Sequence, residues 1–220
     1  MYKSCKNWLL GLLVAAMTPA AVAQTMFEEG EFKPYDEISI GQDELSASVS
    51  FRVLYFAHFT CPYCRNAHDY MHDWADALPR PYQMEVVPAV GLPDHFPMAM
   101  AYYAVLQLHP KRLKDYENAL FSEIQDRLGD PLSPVTYRRA AMQIGIDSED
   151  FNSAVQSKHT QGFVRRAHEL TKRFGIEEVP TVVVANRFKT GPGRVYNDQQ
   201  SFVSILNGLI SMHYQEHFSR

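Results

Sequence analysis

The chain has 220 residues, of which 46% are hydrophobic and 21% charged, and its formal net charge is −4. That length and balance suit one globular domain, or one domain with a sizeable insertion, and exclude disordered, collagen-like and repeat architectures. An acidic chain without a basic stripe for phosphates also excludes nucleic acid as a natural partner.

The N-terminus has its own pattern. Lys3 and Lys6 make a basic start, Trp8 to Met17 is an uncharged apolar run, and Thr18-Pro19 breaks it before the small residues of Ala21-Val22-Ala23. This is the layout of a cleaved secretory signal peptide over residues 1–23, with a core too short for a permanent membrane helix. The expected product is residues 24–220, soluble and exported. Cleavage removes Cys5 and leaves Cys61 and Cys64 as the only cysteines. Two cysteines cannot build a multi-bridge framework, and a chain of this size does not need one.

Residues 24–34 read as a polar, extended lead-in. Tyr35 to Ile40 suggests a short first strand, and Gly41-Gln42 a turn. Ser48 to Phe59 is rich in aromatic and β-branched residues and nearly all apolar from Val53, the pattern of a buried central strand. After Thr60 come Cys61-Pro62-Tyr63-Cys64 and a stretch free of Gly and Pro as far as Leu78. Pro62 suits a first helical turn, and Tyr70, Met71, Trp74, Ala75 and Leu78 recur at helical spacing. Tyr82 to Val87 reads as a strand.

Five helices are then expected, over Pro97–Leu108, Lys111–Leu128, Pro134–Ile144 with Ser133 as N-cap, Phe151–Val155 capped by Ser148, and Thr160–Phe174. The strand pattern returns in Val179-Pro180-Thr181-Val182-Val183-Val184. Asn186 to Lys189 reads as a turn, Arg194 to Tyr196 as the last strand, and Asn197 or Asp198 as the cap of a final helix to His213. The sum is an α/β domain carrying a helical insertion at about 96–158.

A Cys-x-x-Cys at a strand-to-helix junction has a chemical rationale. The first cysteine meets the free N–H groups and positive dipole end of the helix, which favour the thiolate and lower its pKa from about 8.5 into a range of roughly 3.5 to 7.5. Cys61 is thus the expected exposed nucleophile. Cys64, a turn further in, is the expected resolving cysteine. An inert staple across so short a loop contributes little loop entropy.

Phe59-Thr60-Cys61-Pro62-Tyr63-Cys64 before a helix, with Val179-Pro180-Thr181-Val182 opening a later strand, resembles the thioredoxin superfamily. The helical insertion and the signal peptide look most like its DsbA branch of periplasmic oxidants. The resemblance implies a thioredoxin-like fold with an inserted helical subdomain. It implies that Pro180 is cis and lies against the active-site pair, leaving the Val179 backbone free to bind an extended substrate chain. It also implies that Pro62 and Tyr63 tune the redox chemistry. The best-known pattern of the branch has His where this chain has Tyr63, so the expectation is a weaker oxidant, between about −120 and −230 mV. The branch often has a buried acid where Tyr55 stands here, so its hydroxyl is left to hold a water.

The implied activity is disulfide introduction into unfolded or reduced secreted proteins in the periplasm, with reoxidation by a DsbB-type membrane partner. A reductase or isomerase role is the alternative. Periplasmic isomerases of the superfamily carry a separate N-terminal dimerisation domain, for which residues 24–47 are too few, so a monomer is expected. The chain lacks a Gly-rich phosphate loop and any flavin or nicotinamide fingerprint, and no bound cofactor is expected. His58, Cys61, Cys64, His68 and His72 include good zinc and copper ligands, but two cysteines at a helix start do not close a zinc knuckle, and no metal is expected there. Tyr102, Tyr103, Phe96, Met98 and Met100 read as core rather than as a substrate groove.

Overall fold

In the computed structural model, residues 33–38 and 51–218 are described. The signal-peptide segment, Cys5 and the Gly41-Gln42 turn lie outside them. Among the described residues five strands form one mixed sheet: β1 (Asp36–Glu37), β2 (Arg52–Ala57), β3 (Gln83–Pro88), β4 (Thr181–Val184) and β5 (Phe188–Thr190), in the order β1-β5-β4-β2-β3. β2 and β3 run parallel and the other pairs antiparallel. The two most apolar segments take the centre. Val53 to Ala57 of β2 and all of β4 are buried, as strands covered on both faces must be.

Antiparallel pairing of β2 with β4 runs from Val53–Val184 to Phe56–Thr181. The end of β2 that leads toward Cys61 therefore lies beside the start of β4, where Pro180 stands. Cys61 and Val179, 118 positions apart in the chain, are brought together because the apolar pattern of both strands permits one register.

Helix α1 (Pro62–Asp76) follows β2, buries Cys64, Ala67, His68, Met71 and Trp74 on one face, and joins the terminal helix α7 (Gln199–Phe218) through Trp74 Nε1 donating to Asn207 at 2.8 Å. Between β3 and β4 come α2 (Phe96–Leu108), α3 (Leu113–Phe121), α4 (Pro134–Gln143), α5 (Ser148–Gln156) and α6 (Lys158–Arg173). α2 is apolar on all sides and has seven buried residues, the pattern of a helix enclosed by others. Met98, Tyr102 and Tyr103 are core, as expected, whereas Phe96 is exposed.

Several boundaries differ from expectation for local reasons. The segment Lys111–Leu128 is not one helix: a 3₁₀ turn (Pro110–Arg112) precedes α3, and a π-helical turn (Ser122–Asp126) follows it. Ser133 caps α4, but Asp147 rather than Ser148 caps α5, its carboxylate accepting from the Glu149 and Asp150 N–H groups, and Ser157 starts α6. The last strand is β5, not Arg194–Tyr196. Ala185 and Asn186 both have positive φ, 53° and 56°, and form the tight hairpin turn between β4 and β5. Pro192 instead opens a 3₁₀ turn over Pro192–Val195, ending in a left-handed Tyr196. Asp198 accepts from the Ser201 N–H at the start of α7, which extends beyond His213 to Phe218.

Candidate active site

Cys61 is the N-cap of α1, with extended backbone (φ −83°, ψ 120°), and Pro62 takes the first helical position. The cysteine sulfur thus faces the first turn's N–H groups. Hydrogen bonding from the Cys64 thiol is the largest influence on Cys61, and the backbone N–H groups of Cys64 and Tyr63 add to it. Together they outweigh partial burial and lower the thiol from 9.0 to about 6. Cys64 is fully buried and shifts the opposite way, pushed up first by desolvation and then by Cys61. Both are free thiols, 3.6 Å apart. One helix start thus holds an ionisable, half-exposed sulfur beside a buried, protonated one.

The Val179–Pro180 peptide is cis, and the Cys61 thiol donates to the Val179 carbonyl at 3.4 Å. Val179 is half-buried and Pro180 buried. Gly191 explains how this corner closes: a Cβ there would lie 2.8 Å from the Pro180 carbonyl oxygen, closer than a side chain can come. Tyr63 is 55% exposed between the cysteines. The Tyr55 hydroxyl is buried without a protein partner, and burial, followed by the nearby Cys64, pushes its pKa up.

Three contacts around the cysteine loop carry no signal in the sequence. Gln125 Nε2 donates to the carbonyls of Phe59 (2.9 Å) and Cys61 (3.2 Å). It can do so because the π turn, with Arg127 N–H bonding back to the Ser122 carbonyl at 3.0 Å, re-aims the end of α3, as π turns often do at working sites. Arg65 makes a two-pronged ion pair with Asp126 in the same turn. His58 donates its backbone N–H to Cys64 Sγ at 3.5 Å, while its ring pairs with Thr60 and packs 4.6 Å from the His95 ring. Burial, and then His95, lowers the His58 pKa from 6.5 to about 4, so this imidazole is neutral at neutral pH. Nearby, Leu92 and Phe96 flank His95 and are exposed.

A profile of the DSBA-like thioredoxin domain matches residues 68–202. The chain belongs to that family. The matched span contains Val179 and Pro180 and begins just after the cysteine pair. The curated relatives include the thiol:disulfide interchange protein DsbA of Burkholderia cepacia, 27% identical over 87% of this chain and 88% of that one. The protein of the same name from Bordetella pertussis is 29% identical over 72% and 74%. Among solved structures, Pseudomonas aeruginosa DsbA superposes with a TM-score of 0.73 at 19% identity, covering 84% of this chain and 94% of that one. A Proteus mirabilis DsbA variant, solved with the non-covalently bound peptide PWATCDS, gives 0.67 at 19% identity over 81% and 96%. Family membership makes the chain a thiol–disulfide oxidoreductase with the DsbA-like thioredoxin fold. Among the described residues no helix is long and apolar enough to cross a membrane.

Proposed function

We propose that the protein is an exported oxidase that introduces disulfides into reduced secreted proteins, with Cys61 as the exchanging sulfur and Cys64 as its internal partner. The observation that carries this reading is the asymmetry of the pair: one thiol lowered to about 6 at a helix N-terminus, the other buried and raised. In the oxidised form a substrate thiolate attacks Cys61 Sγ, the Cys61–Cys64 bond breaks, and Cys64 takes up a proton. The second substrate thiolate then attacks the substrate sulfur of the mixed disulfide, and Cys61 leaves as a thiolate. Two electrons pass from the substrate dithiol to the pair. The lower the leaving thiol's pKa, the faster this last step.

An extended substrate chain finds backbone hydrogen-bonding groups at Val179 beside the sulfur. Leu92, Phe96 and Tyr63 offer exposed apolar surface near the loop, suited to unfolded chains and consistent with a DsbA relative that binds a cysteine-containing peptide. Pro62 and Tyr63 set the redox poise. Tyr63 supplies no cationic ring to the Cys61 thiolate, and the neutral His58 does not replace one, so the oxidant is weaker than the strongest of its family. Export to the periplasm, a monomeric state and reoxidation by a DsbB-type membrane partner complete the reading.

The deciding experiment is the equilibrium redox potential of the pair in glutathione buffers, read by thiol trapping. A value between about −120 and −160 mV supports an oxidase. A value near −220 mV or below overturns it in favour of a reductase or isomerase.

A further inference from the structure

One turn along α1 from Cys64, on the same buried face, lies a second cluster of titratable groups. His68 and His72 are four residues apart and so share one helix face, their ring centroids 4.6 Å apart. Glu117 of α3 reaches between them: its Oε2 lies 2.6 Å from His72 Nε2 and 3.5 Å from His68 Nδ1. One donor atom from each of the three residues lies within 4.8 Å of the others. We propose that His68, His72 and Glu117 form a binding site for a divalent transition ion of the zinc class, which ties the cysteine-bearing helix α1 to α3.

Three features support a ligand there. Glu117 is 1% exposed, and among the described residues its carboxylate pairs with these two imidazoles rather than with a lysine or arginine. A buried carboxylate without a firm counter-charge is costly, and an ion supplies one. His68 Nε2 is buried without a protein partner, so hydrogen bonds within the protein do not account for the whole ring. Tyr102 Oη donates to the other Glu117 oxygen at 3.2 Å, the kind of outer hydrogen bond that orients a ligating carboxylate.

Two imidazoles and one carboxylate leave the fourth tetrahedral position open. The His72 side chain, 20% exposed, provides the way in. Zinc bonds of about 2.0 to 2.2 Å place donor atoms roughly 3.3 Å apart, and here the Glu117 oxygen lies 2.6 and 3.5 Å from the two imidazole nitrogens, with all three donors within 4.8 Å of one another. The sequence pattern around the cysteines lacked this carboxylate because it comes from another helix, 45 residues beyond His72. The ion would be held by side chains other than the redox cysteines.

The test uses the untagged mature chain with Cys61→Ser and Cys64→Ser, so that thiols cannot contribute. Zinc affinity is measured by competition with a chromophoric chelator, stoichiometry by native mass spectrometry, and thermal midpoint with and without zinc. One ion per chain is expected, with a higher midpoint on binding. His72→Ala and Glu117→Gln should each weaken affinity by at least ~10-fold, the range seen for loss of supporting residues alone. If Glu117→Gln does not fold, the partly exposed His72→Ala decides alone. Binding that vanishes with the two serine substitutions, survives His72→Ala, or is absent altogether overturns the proposal. None of these readouts depends on exchange activity, so the site stands or falls separately from the oxidase reading.

Discussion

Cys61 and Cys64 share one turn of helix yet meet opposite conditions, and that contrast sets their reactivity. Alkylation of the reduced protein by iodoacetamide should modify Cys61 first, with a rate that rises with pH to half its plateau near pH 6, where the thiolate forms. Cys64 should resist modification through pH 9 in the folded protein, because burial holds its proton. A profile with its midpoint near pH 8.5 would remove the basis for Cys61 as the poised sulfur. With Cys64→Ser no internal disulfide can form, so Cys61 is oxidised only as a mixed disulfide: incubation in glutathione disulfide with a substrate carrying a single cysteine, which has no second thiol to release it, should accumulate a mixed disulfide at Cys61, visible as a non-reducing gel shift. Gly191 makes the other residue-scale prediction. The close contact at 2.8 Å is with backbone, so Gly191→Ala must push Pro180 away. It should destabilise the fold by about 1–3 kcal/mol in urea titration, the usual cost of overpacking, and slow exchange as the cis-proline segment leaves Cys61.

At the scale of elements, the site is a meeting of three: the end of β2 with the start of α1, the start of β4, and the π turn after α3. The first two were legible in the sequence. Cys-x-x-Cys at a strand–helix junction is a local pattern, and Val-Pro before a β-branched run is another; the β2–β4 register then brings them together. The third was not, because Gln125 and Glu117 look like any polar residues of an amphipathic helix until tertiary packing aims them at the cysteine loop and at His72. The β4–β5 hairpin was read in part. Asn186 marked a turn, but Ala185 shares its left-handed conformation without a sequence signal, and the returning strand was placed at Arg194–Tyr196 instead of Phe188–Thr190. The π turn has its own testable consequence. Gln125→Ala leaves the carbonyls of Phe59 and Cys61 without their side-chain donor, so it should cost about 1–3 kcal/mol. It should also raise hydrogen exchange at the N-terminus of α1. A variant of wild-type stability and unchanged exchange would show that the π turn does not support the loop.

For the molecule as a whole, thiol ionisation, redox poise and folding are one linked equilibrium. Cys61's folded pKa, about 6, lies below its unfolded value. Its thiolate therefore stabilises the folded dithiol form fully above the unfolded pKa, and that contribution is lost as pH falls through 6. The disulfide form has no thiol to ionise and gains nothing from it. Cys64 acts in the other direction only at alkaline pH, where the unfolded chain releases a proton that the fold retains. The dithiol form should thus hold its greatest advantage over the disulfide form around pH 8, and progressively less toward pH 5. A disulfide less stable than the dithiol in the folded state is an oxidising one, since for a two-electron couple about 30 mV corresponds to 1.4 kcal/mol. Urea denaturation of both forms across pH 5 to 8 checks the argument. The expected outcome is a higher midpoint for the dithiol at pH 7 and a gap that closes as Cys61 becomes protonated. Because the Cys61 sulfur is half-exposed, solvent screening keeps the gap smaller than the full pKa shift implies, in keeping with an oxidant of intermediate strength. A disulfide form that is the more stable at every pH would mean that the pair is poised to reduce, and the oxidase reading would fall with it.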